Sequence, residues 1–224
     1  MRNPDKINRI FHVAVAAVLT LFCRGAAFAA DDIDAAIRGM ERRYASAETA
    51  AGNFRQIYRA PGIRRDETGS FILKRPGLMR WEYRTPEEKL FVADGKECFL
   101  YEPRDRRVTV YPLTPARLKH TPLSFLLGGD VRNNYDVSRE KAFKPSFPET
   151  ILLRLTPIRH EEDYEFVVLE LDADGFAIRR VAIRESGGGT SEFLLTDVVT
   201  NVKTSGNDFK FKPPKGVEVT RIQE

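Results

Sequence analysis

The sequence predicts a mainly β domain: one antiparallel sheet of about eleven strands, with a single N-terminal helix and one short proline-marked helical segment. Three observations carry this. The apolar spacing changes once, from a helical period to alternation, near residue 50. From there to the C-terminus, short alternating runs are separated by turn residues at close intervals, as antiparallel neighbours require. Neither a low-complexity linker nor a repeat of solenoid length interrupts the series, so one domain accounts for the chain.

The first 29 residues are read separately. Arg2, Lys6 and Arg9 precede an apolar run from Ile10 to Phe22, and Ala27-Phe28-Ala29 has the small-x-small pattern of a signal-peptide cleavage site. The run is shorter than the roughly 20 residues that span a bilayer. Residues 1–29 are therefore expected to be a cleaved signal peptide, and residues 30–224 the secreted domain. Cys23 follows the bulky Phe22, where a lipidation site would have a small residue, so a lipid anchor is not expected. Removing the segment takes the formal charge from +4 to +1, which gives no reason to expect nucleic-acid binding. It leaves Cys98 as the sole cysteine, so no intramolecular disulfide can form and the core must hold the fold.

In the domain, Ile33, Ile37, Met40 and Tyr44 fall on one helical stripe, after a start rich in Asp31, Asp32 and Asp34 that suits the helix dipole. Phe54, Gln56 and Tyr58 then alternate with Asn53, Arg55 and Ile57 as a strand. Gly69–Lys74 and Leu78–Tyr83 flank Arg75-Pro76-Gly77, whose Pro-Gly pair suits the centre of a type II turn. Lys89–Ala93 and Glu97–Tyr101 flank the hairpin signal Asp94-Gly95-Lys96. Glu102-Pro103-Arg104-Asp105 turns the chain into Arg107–Tyr111. Pro112, Pro115 and Pro122 break the rhythm, and Thr121-Pro122 looks like a helix start. Leu123, Phe125, Leu126 and Leu127 follow, too apolar for one face of a short helix, so this segment is either buried on several sides or covers something apolar. Strands resume at Tyr135–Lys141, Thr150–Pro157, Glu165–Asp172, Phe176–Glu185 and Glu192–Thr200, with Asp208–Lys212 expected to be the last.

Catalytic patterns are scarce. His120 and His160 are isolated, no G-x-S-x-G elbow is present, and two histidines with one cysteine make no zinc set at usable spacing. Asp172-Ala173-Asp174-Gly175 lacks the later glutamate of a calcium loop and reads as a hairpin turn. Gly187-Gly188-Gly189 lacks the Lys-Ser/Thr of a phosphate loop. No enzyme activity, cofactor or metal is expected, although a secreted hydrolase with a dispersed site is the remaining alternative.

Three ordered motifs point further: K-R-P-x-L-x-x-W at Lys74–Trp81, V-x-D-G-K at Val92–Lys96, and F-x-P-P-x-G-V at Phe211–Val217. With "NFRQIY" at Asn53–Tyr58 and "TPLSFLL" at Thr121–Leu127, they resemble the periplasmic lipoprotein carrier (LolA) family over most of the mature chain. The resemblance implies an antiparallel sheet curled into an incomplete barrel, closed by the N-terminal helix and short lid helices around an apolar cavity. It implies a soluble chaperone that takes acylated lipoproteins from an inner-membrane exporter to an outer-membrane acceptor lipoprotein, without catalysis and as a monomer. A related protein carrying another lipid or glycolipid is the alternative. In the family the arginine of K-R-P joins barrel to lid, a latch role that falls on Arg75. The family often has a large aromatic where Met79 stands, a departure that bears on cargo preference. Cavity lining is assigned to Phe54, Leu73, Met79, Trp81, Phe91, Phe99, Leu123, Phe125, Leu126 and Phe193; ordinary core packing is the competing reading for these side chains.

Overall fold

The computed structural model describes residues 30–113, 125–126, 131–159 and 164–222, and Ile33–Glu224 form one compact unit. Its helix is α1 (Ala30–Ala45). The expected stripe is there: Ile37, Met40 and Tyr44 are buried together with Ala36, and Ile33 packs at the edge of the same core. Arg42 and Arg43 occupy the last turn, where the helix dipole favours cations. Gly39 permits close approach, because a Cβ there would stand 2.2 Å from the Phe176 ring. The Ile178 backbone N–H donates to the Tyr44 hydroxyl at 3.1 Å, fixing the helix against the sheet.

Among the described residues twelve strands follow: β1 (Thr49–Ala60), β2 (Ile63–Lys74), β3 (Leu78–Thr85), β4 (Lys89–Asp94), β5 (Glu97–Glu102), β6 (Arg107–Pro112), β7 (Tyr135–Arg139), β8 (Thr150–Pro157), β9 (Tyr164–Asp172), β10 (Ile178–Glu185), β11 (Thr190–Thr200) and β12 (Glu218–Arg221). They form one open sheet in the order β12-β6-β5-β4-β3-β2-β1-β11-β10-β9-β8-β7. Two meanders, β1–β6 and β7–β11, are joined where β1 pairs with β11.

Two expectations need correction. The sheet is mixed rather than wholly antiparallel, because β12 runs parallel to β6. The run expected as the last strand, Asp208–Lys212, joins no ladder. Residues 201–217 instead cross from β11 to β6 over the outer face. Phe209 is buried there, the Phe211 ring lies tilted 5.6 Å from those of Phe99 and Tyr101, and the Arg80 guanidinium donates to the Asp208 carbonyl at 3.4 Å. Pro213 and Pro214 bring no N–H to a ladder, so side-chain packing and single hydrogen bonds, rather than strand pairing, hold this strap in place.

The sheet is curved. Trp81 on β3 and Phe193 on β11 lie three strand spacings apart, about 14 Å on a flat sheet. Their ring centroids are 5.8 Å apart, so the strands between them bend around their shared face. The core occupies this inner face: Leu153, Leu155, Leu169, Leu171, Val181 and Leu195 pack with the α1 stripe, and Phe125 and Leu126 join them.

On the outer face, Glu170 is fully buried. It accepts hydrogen bonds from the Ser146 and Phe147 backbone N–H groups and the Thr150 hydroxyl. Its other oxygen lies 2.9 Å from Arg180, which also meets Glu192 at 3.2 Å and the Lys144 carbonyl at 3.0 Å. This group pins the loop between β7 and β8 to the sheet.

Candidate functional site

Strand pairing arranges the inner face of β1–β6 in rows. One row runs Ala50, Leu73, Met79, Ala93, Cys98 and Tyr111; the next runs Gly52, Phe71, Trp81, Phe91, Leu100 and Thr109. Two residues further along each strand, the row is Phe54, Gly69, Tyr83 and Lys89, and beyond it Gln56 sits opposite Glu67. Alternation along a strand places all of these on one side.

A cavity of about 500 Å³ lies against this face. Its apolar wall comes from Met79, Trp81, Phe91, Cys98 and Leu100 with Tyr111, Leu113 and Phe193. Its polar wall comes from Gln56, Arg65, Glu67, Tyr83 and Lys89. The aromatic wall is interlocked: Phe54 meets Trp81 edge-on at 5.0 Å and Tyr83 at 4.9 Å, while Phe71 stacks on Trp81 at 5.0 Å. Such pairs hold ring orientation beyond what burial alone provides. Gly69 leaves room for this cluster, since a Cβ there would stand 2.8 Å from the Phe54 ring and 2.0 Å from the Glu82 carbonyl oxygen.

At the polar end, Lys89 forms an ion pair with Glu67, and its ammonium lies 4.6 Å from the centre of the Tyr83 ring. The Tyr83 hydroxyl donates to Gln56 Oε1 at 2.9 Å, and the Gln56 amide donates to the Ser191 hydroxyl at 3.1 Å. Burial, with the Glu67 charge adding to it, pushes the Tyr83 phenol well above its ordinary pKa, so it stays neutral and keeps its proton to donate.

The expected lining residues separate into groups. Met79, Trp81, Phe91 and Phe193 line the cavity. Phe54 and Leu73 lie on the same face but are packed into the core beneath it. Phe125 and Leu126 are buried in the core, with the Phe125 ring 5.8 Å from Tyr135, and do not line it. Phe99 lies on the opposite face with Val108, Val110 and Phe211, because Cys98 and Leu100 on either side of it point inward. Leu123 lies outside the described residues, as do His120 and His160. The sequence reading missed Cys98, Leu100, Tyr111 and Leu113, which parity from Trp81 across the hairpins could have found. It also missed the polar set, whose charges read as solvent-facing.

Arg75 lies in the β2–β3 turn, with Gly77 at φ +75 supplying the left-handed residue that turn needs. Its side-chain Nη2 donates to the Tyr44 carbonyl in the last turn of α1 at 3.3 Å, and its backbone N–H donates to the Glu48 carbonyl at 2.9 Å. The turn is thus tied to the end of the helix.

Comparison with known proteins agrees with the resemblance seen in the motifs. The family profile described as "Outer membrane lipoprotein carrier protein LolA" matches residues 45–212. An outer-membrane lipoprotein carrier protein of Nitrosomonas europaea is 28% identical over 189 residues, covering 83% of this chain and 89% of its own. One of Pseudomonas aeruginosa is 31% identical over 205 residues, covering 89% and 93%. Among solved structures, an uncharacterized conserved protein from Thermus thermophilus shares the fold, with a TM-score of 0.50 at 12% identity over 84% of this chain and 98% of that one. The chain belongs to the outer-membrane lipoprotein carrier family, LolA.

Proposed function

We propose that this protein is a periplasmic chaperone that carries acylated lipoproteins from an inner-membrane exporter to an outer-membrane acceptor lipoprotein, as a monomer and without making or breaking bonds. The observation that carries the reading is the apolar, aromatic-walled cavity on the inner face of the curved sheet, in a chain of this family. An acyl chain in water costs about 0.8 kcal/mol per methylene, so a released lipoprotein needs such a shelter. Benzene, with six carbons, fits a cavity of roughly 150 Å³. On that scale the 500 Å³ interior takes about one long chain. A cargo with several chains requires a wider interior, and the Arg75 bond to α1 is the polar latch that must give way. The latch opposes loading, which lets the carrier surrender cargo without nucleotide hydrolysis.

Trp81 is the sole tryptophan and stands in the cavity wall, so its fluorescence reads occupancy directly. The test is to incubate the purified protein with spheroplasts, isolate it, and identify what travels with it. Lipoproteins in the complex, together with a shifted Trp81 emission, support the reading. A complex holding a glycolipid but no lipoprotein would replace it with the alternative cargo.

A further inference from the structure

The interior changes character along the strand direction. At the end nearest the Arg75 turn and α1, the row Leu73, Met79, Ala93 and Cys98 is wholly apolar. Two rows further on, the same strands present Tyr83 and Lys89, and then Gln56 and Glu67. An ion pair set into a cavity wall beside apolar and aromatic side chains carries a desolvation penalty that an aliphatic pair would avoid. It is also an awkward structural tie, because Glu67 on β2 and Lys89 on β4 must reach each other across β3, over the Tyr83 ring.

We propose that Lys89, held by Glu67 and Tyr83, forms a head subsite that binds the ester or amide carbonyl oxygens at the start of an acyl chain. The chain then lies with its head at Lys89 and its tail running past Trp81 towards Met79 and Cys98. This rests on the acyl-carrier reading above. An ammonium has three N–H donors, and a neutral carbonyl oxygen can take one without expelling Glu67. The Tyr83 ring under the ammonium and the Gln56 acceptor on its hydroxyl hold the group in place. Arg65 lines the same polar wall, so a second cation stands beside the Lys89–Glu67 pair as a further donor for acyl oxygens.

The orientation can be read by quenching. Trp81 is two residues from Tyr83, about 7 Å along the strand, so a bromine at about the sixth carbon lies beside it when the head is at Lys89. A bromine at the chain end does not. Two brominated acyl probes, near-head and chain-end, are titrated into the purified protein, each as a glycerol ester and as an N-acyl dipeptide. Near-head quenching about twofold stronger than chain-end quenching is expected, from the row spacing. The head chemistry with the larger ratio identifies the natural source, a lipid or an acylated protein terminus. Equal quenching by the two positions overturns the subsite while leaving acyl binding intact. No quenching by any probe overturns the acyl-carrier reading itself. In the double variant Glu67→Gln with Lys89→Met, which leaves no charge unpaired, the positional ratio should fall to about one, with about tenfold weaker ester binding from loss of a charged donor. Tyr83→Phe, which removes only a hydroxyl, should lower the ratio partway. An unchanged ratio in the double variant removes Lys89 from the assignment.

Discussion

Replacing Arg75 with leucine tests the latch quantitatively. The guanidinium donates to the Tyr44 carbonyl at 3.3 Å, at the negative end of the α1 dipole and in partly buried surroundings. A hydrogen bond from a charged donor contributes about 1.5–3 kcal/mol, and the long distance places this one near the bottom, at about 1.5 kcal/mol. If cargo binds the form in which α1 has been released, removing the bond raises that form's share of the empty protein by about tenfold. Apparent affinity for an acyl chain rises by the same factor, because the measured constant is the intrinsic one divided by the competent fraction. Arg75→Leu should therefore bind an acyl ester about tenfold more tightly by Trp81 fluorescence and release it correspondingly slowly to an acceptor. Hydrogen exchange at the last turn of α1 should accelerate by about tenfold in the empty protein. Affinity equal to or weaker than the parent's, with unchanged exchange, would refute the latch and leave Arg75 as a turn residue that merely touches the helix.

Other substitutions probe the frame around the site. Gly69→Ala drives a Cβ against the Glu82 carbonyl and the Phe54 ring, and since backbone cannot yield it should cost about 3 kcal/mol, read as a lower urea midpoint; an unchanged midpoint contradicts the packing described. Glu170→Ala takes the nearer carboxylate from buried Arg180, leaving it Glu192 alone, and strands the Ser146 and Phe147 N–H groups; it should cost about 3–5 kcal/mol, of which a paired Arg180→Leu change should restore part. Burial raises the Glu140 pKa, but hydrogen bonds from Arg154 and from the Ala142 and Phe143 backbone together outweigh it and hold the carboxyl below its ordinary value. A depressed carboxyl stabilises the fold fully above its unfolded pKa and loses that contribution as pH falls through its folded value. Glu140→Gln should thus flatten the loss of stability in acid, and a curve parallel to the parent's would show that Glu140 is not the group responsible.

The helix was legible because Ile37, Met40 and Tyr44 must share a face, and the β4–β5 hairpin because Asp94-Gly95 forces one; Asp94 accepts from the Lys96 and Glu97 backbone N–H groups as such a turn requires. The first half of β2 was not legible. Residues Ile63–Thr68 pair with β1 in unbroken register, yet their inward positions are Arg65 and Glu67, so the alternation that marks a half-buried strand is absent. Exposure hid β12 in the same way, since all four of its residues face solvent. The reverse happened at Phe209 and Phe211, whose alternation with lysines imitates a strand although they serve as anchors of a strap. Arg75 could be singled out only through the family motif, because nothing local distinguishes a turn arginine that reaches a helix from one that reaches water. The polar row was lost for a related reason: charge in a sequence suggests solvent, and only strand register shows which charges share a wall with Trp81.

The strap has a mechanical consequence. It is fastened to the convex side at three stations: near the start of β1, where the Asn201 backbone N–H donates to the Thr49 carbonyl at 2.7 Å; at β3 through Arg80; and at β5 through Phe211. Tightening an arch lengthens its outer arc, so further curling would have to stretch a chain already anchored along that arc. Flattening the arch only slackens it. The strap therefore acts as a one-way stop, resisting implosion of the vault when it is empty and leaving it free to spread when something is pushed inside.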